Sequence, residues 1–335
     1  MSRQFLFLVI FLAIWMKSDP VMSQGNKGEH LVQNRQVHRI FPHIKTDDPV
    51  RRIIEHPAFK GFSHLILLRV EDIQHLDMPL SKIGSLMPYH SHVLPERVVK
   101  ALNLMINEVR EGKTIFYDFF TDQQKQMDSS KKDTGLFFFR GKPGAPFAIV
   151  CPGGGFSYVG SLHEGFPHAF ELSKRGYNAF VLRYRVGDGL RAKEDLAAAI
   201  SYIFKKAEMF EVGVKNYSLW GSSAGARMVG NIASKGTADF VGHEIPKPRI
   251  VIIAYTGDTS FSKNFPPAFI MVSEDDRIVD VSVVDRRVEN MRNAGIKVEY
   301  RKYKNAGHGF GLGVGTDAEG WIDYAIRFWE THVSK

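Results

Sequence analysis

The feature that most constrains the fold is a series of short apolar runs that alternate with helical patterns over the second half of the chain. The runs are PFAIVCPGGGF, GYNAFVLRY, YSLWG, RIVIIAYTGD and PAFIMVSEDD. Helical patterns such as RAKEDLAAAISYIFKKAEMF lie between them. Because continuous apolar runs suit strands buried on both faces, the alternation predicts an α/β fold with a mostly parallel sheet and helices on both faces. Two earlier runs, KTIFYDFF and TGLFFFRG, predict an antiparallel pair joined by a polar loop.

Residues 1–23 have the layout of a signal peptide. Arg3 precedes an apolar run over residues 5–16, and Ser23 supplies a small residue for cleavage. The run is shorter than the roughly 20 residues that a helix needs to span a bilayer, so no stable membrane insertion is expected. We therefore expect an exported protein, periplasmic or secreted. The remainder divides into an N-terminal segment, residues 24–111, with one helix pattern in PERVVKALNLMINEVREG, and an α/β domain, residues 112–335.

Charge and cysteine content exclude several classes of partner. The sequence has 44 basic and 36 acidic residues, but it has no dense basic tract or arginine and aromatic ladder, so no nucleic-acid partner is expected. Cys151 is the only cysteine, which rules out an internal disulfide and a thiolate metal cluster. His90 and His92, in YHSH, are interpreted as surface histidines because two ligands alone do not predict a metal site.

The stretch SLWGSSAGARMVG contains the pattern G-x-S-x-G between an apolar run and a helical pattern. Gly221, Ser223 and Gly225 occupy its fixed positions. In this pattern a strand turns so sharply into a helix that the central serine stands exposed at the apex, where it can act as a nucleophile. Small residues at any close strand-to-helix crossing give the same pattern. The candidate nucleophile Ser223 therefore needs a base, and a group that orients the base.

Residues of the required types follow Ser223 in the chain. His308 lies in the glycine-rich stretch NAGHGFGLG, and Glu274, Asp275 and Asp276 follow the apolar run AFIMVS. The order serine, acid, histidine is the one expected for a nucleophile elbow of this kind. The alternative is that the acids only cap the next helix and that His308 has no catalytic role.

The glycines of CPGGGF end a strand-like run that precedes the elbow. Backbone N–H groups in such a loop can bind the negative charge that develops on an attacked carbonyl oxygen. We predict Gly154 and Gly155 as donors, with the N–H of Ala224 completing the oxyanion hole. A dinucleotide loop starting at Gly153 would need glycine at the position of Tyr158, and no Walker pattern occurs, so no nucleotide cofactor is expected.

The four motifs PGGGF, GSSAG, EDDRIV and GHGFG, in this order, resemble those of an α/β-hydrolase of the acetyl-esterase and acetylxylan-esterase-like branch, over residues 114–329. The chain is also similar to the hormone-sensitive-lipase group, although Pro152 stands where the lipase motif has histidine. The resemblance implies hydrolysis of short-chain esters, often acetyl groups on sugars, without a metal or other cofactor. It also favours Asp276 as the acid of a triad with Ser223 and His308, with Asp275 as the alternative.

Several residues outside the four motifs have expected roles. Phe156, His163 and Glu164 follow the oxyanion glycines and are predicted to contact substrate. The alternative for Glu164 is that of a first-turn acid stabilised by a helix dipole. Arg227 is expected to form a structural ion pair. Because this superfamily usually covers its active-site rim with added segments, residues 24–111 are expected to form a cap that favours acetyl over long acyl groups.

Three function classes are compatible with these patterns. The first is a serine ester hydrolase that acts on a small-molecule or carbohydrate ester. The second is a peptidase of the prolyl-oligopeptidase type, but those enzymes carry a propeller domain that roughly 90 residues cannot build. The third is a non-catalytic binding protein on a hydrolase fold. The sequence leaves the oligomeric state open.

Overall fold

The apolar runs of the sequence form the first seven of the strands that the structure describes. The computed structural model describes residues 41–333; the predicted signal peptide of residues 1–23 lies outside the described residues, as do residues 24–40. The strands are β1 (Phe116–Tyr117), β2 (Gly135–Phe139), β3 (Pro146–Cys151), β4 (Asn178–Arg183), β5 (Gly213–Ser222), β6 (Ile250–Ala254), β7 (Ala268–Ser273) and β8 (Val298–Tyr303). Every residue of β2, β4, β6 and β7 is buried, as expected for strands covered on both faces.

The strands lie side by side in the order β1-β2-β4-β3-β5-β6-β7-β8. Neighbours from β4 to β8 are parallel, whereas β2 runs antiparallel to both β1 and β4. The predictions of a mostly parallel sheet and of an antiparallel pair before it are both confirmed.

Helices follow most of the strands and cover the sheet. The α-helices are α1 (Arg51–Ile54), α2 (Pro95–Arg110), α3 (Asp122–Met127), α4 (Phe166–Lys174), α5 (Gly189–Lys205), α6 (Ala207–Phe210), α7 (Ala224–Lys235), α8 (Ala238–Val241), α9 (Val281–Asn293) and α10 (Trp321–Val333). The 3₁₀ helices are Pro57–Phe59, Ser63–Leu65, Val70–His75, Leu80–Leu86 and Ser129–Asp133, and a π-helical turn, Ser161–Gly165, precedes α4.

The described part of the N-terminal segment packs on the α/β unit, and the structure shows no separation at residue 111. Helix α2 lies against α4. Its apolar face is buried there, Arg97 pairs with Glu171, and the Lys100 ammonium lies 5.3 Å from the centre of the Phe170 ring. Residues 88–92, which precede α2, supply the contact with the loop that carries His308. The role of the segment as a cap stays a prediction.

The turn between β5 and α7 packs directly on the end of β3. The two strands are neighbours, with Cys151 paired to Gly221. A Cβ at Gly225 would lie 1.9 Å from the carbonyl oxygen of Cys151. A Cβ at Gly221 would lie 2.6 Å from the Cα of Ala226. Both glycines of G-x-S-x-G are therefore required by close backbone approach.

This packing predicts the effect of a methyl group at Gly225. Gly225→Ala should lower the free energy of unfolding by about 1–3 kcal/mol or more, because the atom it meets is backbone and cannot rotate away. The matched control is Gly257→Ala, since a Cβ at Gly257 has no neighbouring atom within 4 Å. Urea denaturation of both variants checks the prediction. Equal stability of the two variants would contradict the close approach.

Candidate active site

Ser223 stands at the turn between β5 and α7 in an uncommon backbone conformation. Its φ is 50° and its ψ is −112°, outside the regions that a residue with a side chain normally adopts. The N–H of Ser223 donates to the carbonyl oxygen of Ala254 at 2.9 Å, which fixes the turn to the end of β6. A strained residue at the apex of a strand-to-helix turn is the geometry of a nucleophile elbow.

A chain of hydrogen bonds links Ser223 to His308 and Asp276. The Oγ of Ser223 lies 2.9 Å from Nε2 of His308, and Nδ1 of His308 lies 2.8 Å from Oδ2 of Asp276. Since a carboxylate only accepts, Nδ1 carries a proton and donates, which leaves Nε2 to accept from the serine hydroxyl. The structure thus brings the predicted nucleophile, base and acid together in the order that transfers a proton away from Ser223.

The backbone after β7 fixes the carboxylate of Asp276. Its Oδ1 accepts hydrogen bonds from the N–H groups of Ile278 and Val279, both at 2.8 Å, while Oδ2 faces the imidazole. The side chain of Asp276 is fully buried and that of His308 is 5% exposed, so bulk water does not compete for the bond between them.

Asp275 points to the neighbouring backbone. Its Oδ1 accepts from the hydroxyl of Ser273 and from the N–H of Gly307. Burial raises the pKa of this carboxyl, but the hydrogen bonds outweigh burial and the pKa is lowered overall. Asp275 therefore ties the end of β7 to the loop that presents His308, whereas Asp276 contacts the imidazole.

The glycines after β3 lie beside the elbow. A Cβ at Gly153 would come within 3.0 Å of the Cβ of Ser223. Gly154 and Gly155 have φ values of 127° and 63°, which favour glycine, and a Cβ at Gly154 would lie 2.2 Å from the carbonyl oxygen of Tyr158. Ala224 is the first residue of α7, so its N–H has no partner within the helix. The glycine loop after β3 thus lies beside Ser223, and the roles of Gly154, Gly155 and Ala224 as oxyanion donors stay predictions.

Glu164 lies inside the protein, where three donors surround its carboxylate. Oε2 accepts from the N–H of Gly153 at 2.6 Å and lies 3.2 Å from Nε2 of His90, and Oε1 accepts from the hydroxyl of Tyr255 at 2.6 Å. Burial raises the pKa of the carboxyl, but the interaction with His90 and the bond from Tyr255 outweigh it and hold the pKa well below its usual range. Its oxygens thus hold the glycine loop after β3, and the contact of Glu164 with substrate stays a prediction.

The interpretation of His90 as a surface residue is wrong. Its side chain is 1% exposed; Nε2 faces Glu164, and Nδ1 lies 2.8 Å from the hydroxyl oxygen of Tyr158. His92 is exposed as expected. Sequence reasoning missed His90 because its partners lie far along the chain. The only signal was a histidine beside tyrosine and serine in a segment without helical or strand periodicity.

His163 and Phe156, the other predicted substrate contacts, lie in different environments. His163 is buried and its Nε2–H donates to the carbonyl oxygen of Gly309 at 3.0 Å; burial lowers its pKa to about 3, so it is neutral. Phe156 is half-buried, and its ring faces Gly189. Arg227 is exposed, and within residues 41–333 it forms no ion pair, contrary to expectation.

The loop that carries His308 is held by the N-terminal segment as well as by Asp275. The N–H of Ser91 donates to the carbonyl oxygen of His308 at 3.1 Å, and its hydroxyl contacts the same oxygen at 2.7 Å and that of Ala306 at 2.8 Å. An open cavity of about 350 Å³ lies in front of His308, between residues 88–92 and the loop after β7. A larger groove of about 1130 Å³ lies along α5, and neither Ser223 nor His308 lines it.

Comparison with known proteins gives relatives by sequence and by structure. The acetylxylan esterase of Xylanibacter ruminicola is 25% identical over 218 residues, which are 56% of this chain and 44% of that esterase. The chain thus spans less than half the length of this curated relative. No protein-family model matches the chain.

Solved structures share the architecture. The acetyl ester-xyloside bifunctional hydrolase of Caldicellulosiruptor lactoaceticus matches with a TM-score of 0.56 and 19% identity, over 64% of this chain and 95% of that protein. The α/β-hydrolase MGS-M1, from a deep-sea metagenome library, matches with a TM-score of 0.51 and 22% identity, over 60% of this chain and 93% of that protein. These matches show that the chain has the α/β-hydrolase fold. The predicted resemblance to the acetylxylan-esterase-like branch is confirmed by the sequence match.

Among the helices of residues 41–333, none has both the length and the apolar character needed to cross a bilayer.

The environment of Glu164 predicts a loss of stability in Glu164→Gln. An amide presents an NH₂ group to one of the three donors, so the free energy of unfolding at pH 7 should fall by about 1–3 kcal/mol. The matched control is Glu274→Gln, because Glu274 is exposed. Urea denaturation provides the measurement.

The stability difference between the native protein and Glu164→Gln should also depend on pH. Because the pKa of Glu164 is lowered in the folded protein, its stabilisation is complete above the ordinary carboxyl pKa of about 4.3 and declines as the pH falls below it. The stability difference between the native protein and Glu164→Gln should therefore be smaller at pH 3 than at pH 7. A difference no larger than that of Glu274→Gln at both pH values would contradict the assignment.

Proposed function

We propose that the chain is a serine carboxylic-ester hydrolase that acts on short acyl esters, in particular acetyl esters of carbohydrates. The observation that carries the proposal is the hydrogen-bonded series Ser223, His308 and Asp276 at a strained elbow, beside a loop of glycines. A serine hydroxyl is a weak nucleophile by itself, and this arrangement supplies the base and the orienting carboxylate that it needs.

The first half of the reaction forms an acyl-enzyme. As the Oγ of Ser223 attacks the ester carbonyl carbon, Nε2 of His308 takes the hydroxyl proton, and the buried carboxylate of Asp276 stabilises the imidazolium. The oxyanion accepts hydrogen bonds from the N–H groups of Gly154, Gly155 and Ala224. Collapse of the tetrahedral intermediate breaks the bond to the alcohol oxygen, which leaves with the proton from His308.

The second half releases the acid. A water molecule gives a proton to Nε2 of His308 as its oxygen attacks the acyl carbon, and the same oxyanion donors bind the new intermediate. When that intermediate collapses, the proton returns to the Oγ of Ser223 and the carboxylic acid is released. The enzyme is thus restored, with one ester and one water converted to one alcohol and one acid.

The preference for acetyl esters of sugars rests on the relatives and on the shape of the site. One sequence relative is an acetylxylan esterase, and one structural neighbour is an acetyl ester-xyloside bifunctional hydrolase. The cavity in front of His308 is open and its lining includes charged side chains, which suits a polar alcohol better than a long acyl chain. The signal-peptide pattern of residues 1–23 adds the proposal that the enzyme acts outside the cytoplasm.

Two adjacent acids provide a matched test of the mechanism. Asp276→Asn should lower kcat for p-nitrophenyl acetate by up to about 10⁴-fold, because an amide favours the wrong tautomer of His308. Asp275→Asn should lower kcat by less than about tenfold, since Asp275 contacts backbone and not the imidazole. Steady-state kinetics on folded samples of both variants check the ranking. The reverse ranking would transfer the role to Asp275, and unchanged turnover in both would contradict the triad.

A further inference from the structure

Tyr89 presents a flat aromatic surface at the mouth of the cavity in front of His308. The residue is 40% exposed, although a tyrosine offers a large apolar area. Its ring is stacked on that of Tyr158, with an interplanar angle of 2° and a centroid distance of 5.8 Å. One face of the Tyr89 ring is thus covered by protein while part of the ring remains open to solvent.

The surroundings of Tyr158 hold this ring in place before any ligand binds. The Arg69 guanidinium lies 4.4 Å from the centre of the Tyr158 ring. The Tyr158 hydroxyl oxygen accepts from the N–H of Tyr89 at 3.3 Å and lies 2.8 Å from Nδ1 of His90. His90 in turn contacts the buried carboxylate of Glu164. An aromatic side chain fixed in this way loses little conformational entropy when a ligand packs on it.

Tyr89 lies close to the predicted catalytic groups. Its Cε2 is 3.0 Å from the position that a Cβ would occupy at Gly155, one of the predicted oxyanion residues. Tyr89 and His308 line the same cavity, together with Ile278 and Arg277. Ser223 does not line this cavity itself, but its Oγ contacts His308, which does. The alcohol part of an ester bound at Ser223 can therefore extend past His308 towards the Tyr89 ring.

The same cavity is lined by hydrogen-bond donors and by a hydrogen-bond acceptor. Arg277 and His92 are exposed and supply donors, and Asp275 supplies a carboxylate. An aliphatic alcohol part would contact only the aromatic surface and leave the polar groups unused. An anionic alcohol part would be repelled by the carboxylate of Asp275. A pyranose ring suits both features, because it has a face of C–H groups, which packs on the negative face of an aromatic ring, and a rim of hydroxyl groups.

We propose that Tyr89 is the stacking surface of a subsite for the pyranose ring that bears the ester, with Arg277, His92 and Asp275 contacting its hydroxyl groups. The inference rests on the proposed ester hydrolysis and specifies the alcohol part of the substrate. It assigns a substrate-specificity role to the N-terminal segment.

The test compares two acetyl esters that differ in the alcohol. Ethyl acetate has no ring, whereas acetylated xylo-oligosaccharides present a pyranose, and both reactions release acetic acid that a pH-stat measures. Tyr89→Ala should raise KM for the sugar ester about tenfold more than KM for ethyl acetate, the factor expected from loss of one aromatic stacking contact. Tyr89→Phe, which keeps the ring, should retain the ratio of the two KM values.

The matched control is Tyr324→Ala. Tyr324 is 41% exposed and carries Arg301 and Arg327 over its ring, but it does not line the cavity, so its loss should leave the ratio unchanged. If Tyr89→Ala does not fold, Tyr89→Leu replaces it, because leucine keeps apolar bulk without a flat aromatic face. Circular dichroism establishes folding of each variant.

The outcomes separate this inference from the proposed function. If Tyr89→Ala changes KM equally for both esters, or changes neither KM, the proposed subsite is overturned. A larger change for p-nitrophenyl acetate than for the sugar ester would assign the ring to an aromatic alcohol and also overturn it. If the native enzyme hydrolyses ethyl acetate and not the sugar ester, the subsite fails while ester hydrolysis stands. Turnover of none of these esters would overturn the proposed function itself.

Discussion

The conformation of Ser223 is the constraint on which the predicted active site depends. A residue with a side chain at φ 50° and ψ −112° costs about 1–3 kcal/mol and persists only where its surroundings permit no other arrangement. Here the surroundings are the backbone of β3, which approaches Gly225, and the carbonyl oxygen of Ala254, which binds the N–H of Ser223. The same turn directs Oγ to His308 and places the N–H of Ala224 beside the glycines that follow β3.

A second constraint is the buried carboxylate of Glu164. A charge in the protein interior is costly unless donors surround it, and the donors come from three separate segments: Gly153 after β3, Tyr255 after β6, and His90 from the N-terminal segment. The same N-terminal stretch anchors the histidine loop through Ser91. The N-terminal segment therefore takes part in holding two loops of the predicted active site.

Those features of the fold that depend on local pattern were predicted from the sequence. Five continuous apolar runs correspond to β3 to β7, because a strand buried on both faces needs apolar residues at successive positions. The motif G-x-S-x-G identified the elbow, since its glycines are required where the backbone of the turn approaches nearby residues and the adjacent strand. The order of the motifs supplied His308 and the group of acids.

Features set by contacts between distant segments could not be predicted. The buried position of His90 depends on Glu164 and Tyr158, which belong to another part of the chain. The sequence left Glu164 open between a substrate contact and a first-turn acid, because its position after the oxyanion glycines gives no information about where its side chain points. The choice between Asp275 and Asp276 rested on resemblance alone, because the backbone turn after β7 decides which carboxylate faces His308. The catalytic roles of these residues stay predictions.

The most direct test of the central claim is identification of the residue that becomes covalently modified during turnover. The full-length chain would be treated with a p-nitrophenyl alkylphosphonate, which mimics the tetrahedral intermediate, and the modified peptide would be sequenced by mass spectrometry. The account predicts one adduct per chain, on Ser223, which is absent in Ser223→Ala and retained in Ser222→Ala. An adduct on another residue, or an enzyme that hydrolyses p-nitrophenyl acetate and forms no adduct on Ser223, would contradict it.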